Sequence, residues 1–264
     1  MIKIISYNIL ADSLADSFPN VDPELLQWSV RSRRILEQLR TLAPIDVICL
    51  VECDHYDFFK RELESEYEGV FEQKRSEQKK DGTAIFWCKK TISLVEQLPT
   101  LRLLSDQSQT ATILRFQHKE TEKQFIFIGT HLKSDEFIKS SLLKTAARIT
   151  RKEEIESLFR SLPSNENENT IIVGDFNDEP DSPVCQLMID QGFTSLYPLS
   201  TPFTTFKKRV DMVKHMIDYI WFGPAFTAGS YDPLPEEKDL PEQGLPSAEF
   251  PSDHLMISGN LCLE

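Results

Sequence analysis

A chain of 264 residues with 40% hydrophobic and 10% aromatic side chains can bury a substantial core. Its formal net charge of −13, from 42 Asp and Glu against 29 Lys and Arg, makes long duplex DNA a poor partner, because a polyanion is repelled. Phosphate chemistry stays open if a cation is bound and a few basic side chains lie near the site.

The first β-rich run, 2–6, leads to Asn8. Residues 23–42 carry Leu25, Leu26, Ile35, Leu36, Leu39 and Leu42 at helical spacing, with Asp22 as N-cap and Pro23 in the first helical position. A strand over 45–51 leads to Glu52, and further strands are predicted over 83–88, 110–116 and 124–129, the last leading to His131. Residues 136–162 place Leu142, Leu143, Ala146, Ile149, Ile155, Leu158, Phe159 and Leu162 on one helical stripe. A strand over 170–174 leads to Asp175 and Asn177, and a short helix over 182–193 is closed by Gly192. Strand 217–222 contains Asp218, the proline-rich acidic stretch 231–251 reads as a long loop, and strand 254–261 follows Asp253 and opens on His254.

Cys49, Cys53, Cys88, Cys185 and Cys262 are odd in number, form no C-x-x-C, and are expected as buried free thiols. No apolar run approaches membrane-spanning length and the first residues are too polar for a signal peptide, so a cytoplasmic chain without membrane contact is expected. The elements interleave without a strict βαβ rhythm. They predict an α/β fold in one domain over 1–264, with two mixed sheets packed face to face and helices outside.

Polar residues able to bind metal or move protons recur at the strand ends: Asn8, Glu52, His131, Asp175, Asn177, Asp218, Asp253 and His254. Each alone has a plainer reading, as turn, cap or hydrogen-bonded structural residue. Asp218 lies inside an apolar run, where burial without a partner is costly, and His254 is a natural partner. Carboxylate and amide oxygens without thiolates suit a hard cation, Mg²⁺ or Mn²⁺.

The ordered set "SYNILAD", "VECD", "GTHL", "VGDFN", "IDYIW" and "PSDH" resembles the endonuclease/exonuclease/phosphatase superfamily. "ECDHYDFF", "KDGTAIFW", "FTTFKKR" and "LPSAEFPSDHL" are similar to its deadenylase branch, the nocturnin group above all. The resemblance implies a four-layer α/β sandwich with its site at one rim. Glu52 would hold Mg²⁺ with Asn8 and Asp253 nearby, Asp175 would activate water supported by Asn177, and His131 would contact the scissile phosphate. His254, oriented by Asp218, would stabilise the developing charge.

Lys74, Lys133 and Arg209 match basic residues that grip outlying phosphates in that group, although Asp135 stands where it carries arginine. Val51 and Gly129 replace a glutamine and an asparagine usual in the superfamily. The expectation is a Mg²⁺-dependent phosphoesterase acting on RNA 3′ ends. Its alternatives are a 2′-phosphatase of NADP(H) or a related nucleotide, or an inactive binding module. The last would be expected to lack Glu52, Asp175 or His254. The expected partner is a nucleotide or single-stranded RNA, with no stable protein partner indicated.

Overall fold

The structure, a computed structural model, describes residues 1–74, 80–103, 109–135, 138–163 and 166–264. In chain order it begins with β1 (Ile2–Asn8), α1 (Asp12–Ala15), α2 (Pro23–Leu26), α3 (Trp28–Thr41), β2 (Val47–Cys53), α4 (Tyr56–Leu63), β3 (Tyr67–Gln73) and β4 (Gly82–Cys88). It continues with β5 (Ile92–Gln97), β6 (Leu101–Arg102), β7 (Thr110–His118), β8 (Gln124–His131), α5 (Ser141–Ser161), β9 (Thr170–Asp175), α6 (Pro183–Asp190) and β10 (Thr194–Ser195). The last elements are β11 (Thr205–Lys208), β12 (Met212–His215), β13 (Asp218–Phe222), β14 (Phe226–Tyr231) and β15 (Ile257–Leu263).

Two large mixed sheets result. One has the order β14-β15-β1-β2-β4-β3, the other β10-β13-β9-β8-β7-β5 with β6 on β7, while β11 and β12 form a separate hairpin. Among the described strands, β1–β2 and β8–β9 are the parallel pairs. These central strands are buried on both faces, which is why they read as almost continuous apolar runs. The period of two sorts their side chains. Ile4, Val47 and Cys49 turn inward to a core shared with Phe127, Ile172 and Trp221, whereas Ile5, Tyr7, Ile48 and Leu50 turn outward beneath α3 and α4. On the far side, Ile155 and Leu158 of α5 and Met188 of α6 extend the inner core. The layers are therefore helix, sheet, sheet, helix.

Gly129 has a packing reason. A Cβ there would stand 2.8 Å from Cys49 Sγ and 2.9 Å from Thr83 Cγ2, so the two sheets approach too closely at this point for any larger residue. Among the described residues, no helix is long and apolar enough to cross a membrane.

Several expectations need correction. The helix over 23–42 breaks at Gln27, whose ψ of 132° is extended; Asp22 caps only the first turn, accepting from Glu24 N at 3.0 Å. The helix over 136–162 begins at Ser141, and residues 136–137 lie outside the described set. Leu142, Leu143, Ala146 and Ile149 are exposed on α5, while Arg151 and Glu154 are buried in their place. An ion pair with Asp178 lets Arg151 face inward against the apolar stripe. Cys88 and Cys262 are only half-buried because β4 and β15 end there. The last strand starts at Ile257; His254 makes an isolated bridge with Thr205 instead. The stretch 231–251 is mostly irregular as expected, apart from Tyr231 at the end of β14 and a single 3-10 turn over Glu237–Asp239, yet Leu240 and Leu245 bury themselves against Phe203 and Phe206 and tie it to the β11–β12 hairpin.

Candidate active site

The register of three neighbouring strands builds the core of the site. His131 on β8 pairs with Asp175 on β9, and Asp175 pairs with Asp218 on β13. Three residues far apart in sequence thus form one row across the end of the second sheet. From the first sheet, Asn8 closes β1 and Glu52 rides on an irregularity in β2, where the register shifts between Leu50 and Cys53.

Backbone strain is concentrated here. Leu10, Glu52 and Asn177 have φ of 58°, 57° and 51°, a region that costs non-glycine residues about 1–3 kcal/mol. Hydrogen bonds over-determine each of them. The Glu52 carboxylate accepts from Asn8 Nδ2 at 3.2 Å and from Ala11 N at 3.1 Å. Asn8 Oδ1 accepts from Leu10 N at 3.1 Å, and the fully buried Arg31 donates to the carbonyls of Ile9 and Leu10. Asn177 donates its backbone N–H to Asp175 Oδ1 at 2.8 Å and its amide to Leu132 O at 3.0 Å.

Asp175 Oδ2 is the focus. It accepts from Asn8 Nδ2 at 3.0 Å and lies 3.7 Å from His131 Nε2 and 3.8 Å from His254 Nε2. His254 Nδ1 is 2.8 Å from Asp218 Oδ2, which also accepts from Thr204 Oγ1 at 2.7 Å. Thr204 Oγ1 in turn accepts from the backbone N–H groups of Ile217 and Asp218.

Burial and, next, the Asp218 carboxylate push the Asp175 carboxyl up to about 7, against the pull of His254 and the Asn177 N–H. For His254, burial alone would favour the neutral imidazole. The carboxylates of Asp218, Asp253 and Asp175 outweigh it and lift the ring to about 10. Among the described residues, two sets of ligand atoms lie close enough to share an ion, Glu52–His131–Asp175 and Asp175–Asp218–His254.

The remaining expected residues take different places. Asp253 joins neither of those sets; its Oδ2 lies 3.2 Å from Lys207 Nζ and 3.7 Å from Arg209 Nη2. Despite burial, Lys207, His254 and Arg209 hold its carboxyl down at about 2. Arg209 also lies over the Phe18 ring, 4.6 Å from its centroid. Lys74 is buried, not on the rim, and its Nζ stands 2.5 Å from Asp81 Oδ2 and 3.0 Å from His131 Nδ1. Lys133 is half-buried, and its backbone N donates to Glu154 Oε2 at 3.0 Å.

Asp135 is 3.5 Å from Arg151 Nη2, so its charge is partly answered from inside the protein. A cleft of about 410 Å³ opens beside Asn177, between Lys144 and Arg148 of α5 and Lys207 and His215 of the hairpin. Sequence reading missed Arg31, Asp81, Thr204, Lys207 and Arg151. Arg31 follows Val30 and Lys207 follows Phe206, so a charge beside an apolar position was the available signal for those two; Asp81, Thr204 and Arg151 carried none.

Over residues 5–254 the chain matches the endonuclease/exonuclease/phosphatase family. It belongs to that family. Human nocturnin is 31% identical over 97% of this chain, which spans 64% of that protein's length. The solved catalytic domain of human nocturnin, with a bound sulfate, superposes with a TM-score of 0.77 at 28% identity, covering 100% of this chain and 93% of that one. ANGEL2, a 2′,3′-cyclic phosphatase solved with adenosine-2′,3′-vanadate, shares the fold with a TM-score of 0.83 at 20% identity, over 99% of this chain and 95% of that one. The Ccr4 subunit of Candida albicans, named as a CCR4-Not complex 3′–5′ exoribonuclease, is 25% identical over 96% of this chain and 40% of its own length.

Proposed function

We propose that this chain is a divalent-cation-dependent phosphoesterase that hydrolyses phosphodiester bonds at RNA 3′ ends. The observation that carries it is the placing of one Asp175 oxygen between two imidazole Nε2 atoms, 3.7 Å and 3.8 Å away, beside Glu52 and Asn8. The name of the Candida relative, an exoribonuclease, supports the choice of substrate.

Glu52 would hold Mg²⁺ or Mn²⁺, with Asn8 and Asp175 beside it. The donor set fits, because it offers hard oxygens and no thiolate. Crowding by Asp218 and Glu52 also raises the Asp175 carboxyl, a strain that a cation relieves. A divalent ion held there would supply polarisation of a phosphoryl oxygen and screening of the carboxylates.

The chain's own residues do the rest. As water bonds to phosphorus and the P–O bond to the leaving 3′ oxygen breaks, Asp175 takes the water's proton at Oδ2 while Asn177 holds Oδ1, and the leaving oxygen takes its proton from solvent. His254, protonated and aimed by Asp218, neutralises charge building on the phosphoryl oxygens. His131 contributes a further contact to the same phosphate, and Lys133 and Arg209 meet the outlying ones.

The test is to follow RNA shortening from a 5′-labelled oligo(A) and phosphate release from NADP(H) side by side, with Mg²⁺ and with EDTA. Shortening from the 3′ end that EDTA abolishes is expected; intact RNA overturns the reading. A second reading, 2′-phosphatase action on NADP(H), is favoured by the pairing of Asp135 with Arg151, which blunts the repulsion an isolated carboxylate would exert on a phosphate. Phosphate release from NADP(H) over intact RNA would establish it.

A further inference from the structure

The buried lysine behind His131 constrains that imidazole. Lys74 Nζ is 2.5 Å from Asp81 Oδ2, with both side chains under a tenth exposed, and 3.0 Å from His131 Nδ1. A lysine ammonium offers three donors and no acceptor, and one of them is directed at the Asp81 carboxylate. At 3.0 Å a proton on His131 Nδ1 would point at another donor, so Nδ1 must be the acceptor. With Nδ1 unprotonated, the ring carries its proton on Nε2, the nitrogen that faces Asp175.

We infer that Lys74 is a positioning residue that locks His131 as the Nε2–H tautomer, so that His131 meets the phosphate as a neutral hydrogen-bond donor. A nitrogen carrying a proton cannot ligate a metal or act as a base. His131 is thereby removed from the Glu52–His131–Asp175 set of possible ligands, leaving the two carboxylates. Asp81 acts one step further back. Its carbonyl accepts from Lys74 N at 3.0 Å, so backbone and side chain fix the same pair. The mechanistic half of this inference rests on the proposed hydrolysis; the tautomer does not.

The experiment reads the tautomer directly. Metal-free protein labelled with ¹⁵N-histidine contains five imidazoles, and the signal lost in His131→Gln assigns the one of interest. Wild type is expected to show a protonated Nε2 and an unprotonated Nδ1 at His131. Replacing the donor by an acceptor, Lys74→Glu with Asp81→Asn to avoid like charges, should move the proton to Nδ1. It should also lower kcat on 5′-labelled oligo(A) with Mg²⁺ by about 100-fold, the scale of losing one transition-state donor, with KM within a few-fold. Lys74→Arg, still donor-only, should keep the wild-type tautomer and most of kcat.

If the double variant does not fold, Lys74→Met replaces it, and Nδ1–H should become populated. An Nδ1–H tautomer in wild type overturns the inference, as does an unchanged tautomer when the donor is removed. A raised KM at constant kcat does too, because it would mark Lys74 as a substrate grip. If wild type hydrolyses neither oligo(A) nor NADP(H), the functional reading fails while the spectra still decide the tautomer.

Discussion

At the scale of single residues, the site depends on a few charges placed where water cannot screen them. On the proposed mechanism, removing Asp175 takes away the proton acceptor, and removing His254 takes away the cation facing the phosphate. Asp175→Ala and His254→Ala should each cut turnover of oligo(A) by about 10²–10⁴-fold with the far-UV spectrum unchanged, as befits general acid–base and electrostatic groups. Near-normal turnover in Asp175→Ala would sink the mechanism. Glu52 is a different kind of residue in the proposed mechanism, where it holds a cation. Mg²⁺ at about 100 times its dissociation constant should stabilise wild type by about 2.7 kcal/mol, read as a rise in Tm over EDTA. Glu52→Gln should lose most of that rise; an equal rise in the variant would place the ion elsewhere.

At the scale of elements, the site is a property of strand register. His131, Asp175 and Asp218 share a row because β8, β9 and β13 are locked in one alignment, and a slip of one residue would turn each side chain to the opposite face. Gly174 guards that alignment. Its φ is 137°, and a Cβ would stand 1.8 Å from the Thr130 carbonyl oxygen. Gly174→Ala must push β8 from β9, so a loss of about 3 kcal/mol or more is expected in urea unfolding, together with most activity. A wild-type midpoint would show that the strands yield cheaply.

This is also where sequence was legible and where it was not. The central strands announced themselves because burial on both faces makes them plainly apolar, and the functional residues stood at their ends. The edge strands β3, β5 and β14 and helix α4 were missed, since half-exposed elements carry weaker patterns. The stripe on α5 misled because Leu142, Leu143 and Ile149 face solvent, whereas Arg151 and Glu154 face inward through charge pairing and hydrogen bonding that no periodicity reveals. The row of three could not be seen either, because the pairing partners of a strand are set by the whole sheet.

At the scale of the molecule, a net charge of −13 surrounds a site that, on the proposed function, must admit an anion. Local cations counter that field only over the first phosphates, and beyond a Debye length of about 10 Å at 0.1 M salt the rest of the surface is hidden. Lengthening oligo(A) from a trimer to a 20-mer should therefore raise KM at 20 mM salt, and the penalty should shrink at 200 mM. A KM that falls steadily with length at low salt would point instead to an extended basic track for the strand. The site also draws on both ends of the chain. Ser252 donates to the carbonyl of Asn8 at 2.7 Å, Asn8 reaches Asp175, and the two contacts span 244 and 167 positions of sequence. Such pairings close the longest loops, whose closure carries the largest entropic cost. Catalysis is consequently a clock for complete assembly: during refolding, activity should return with the slowest phase, after the spectral signal of sheets and helices has recovered.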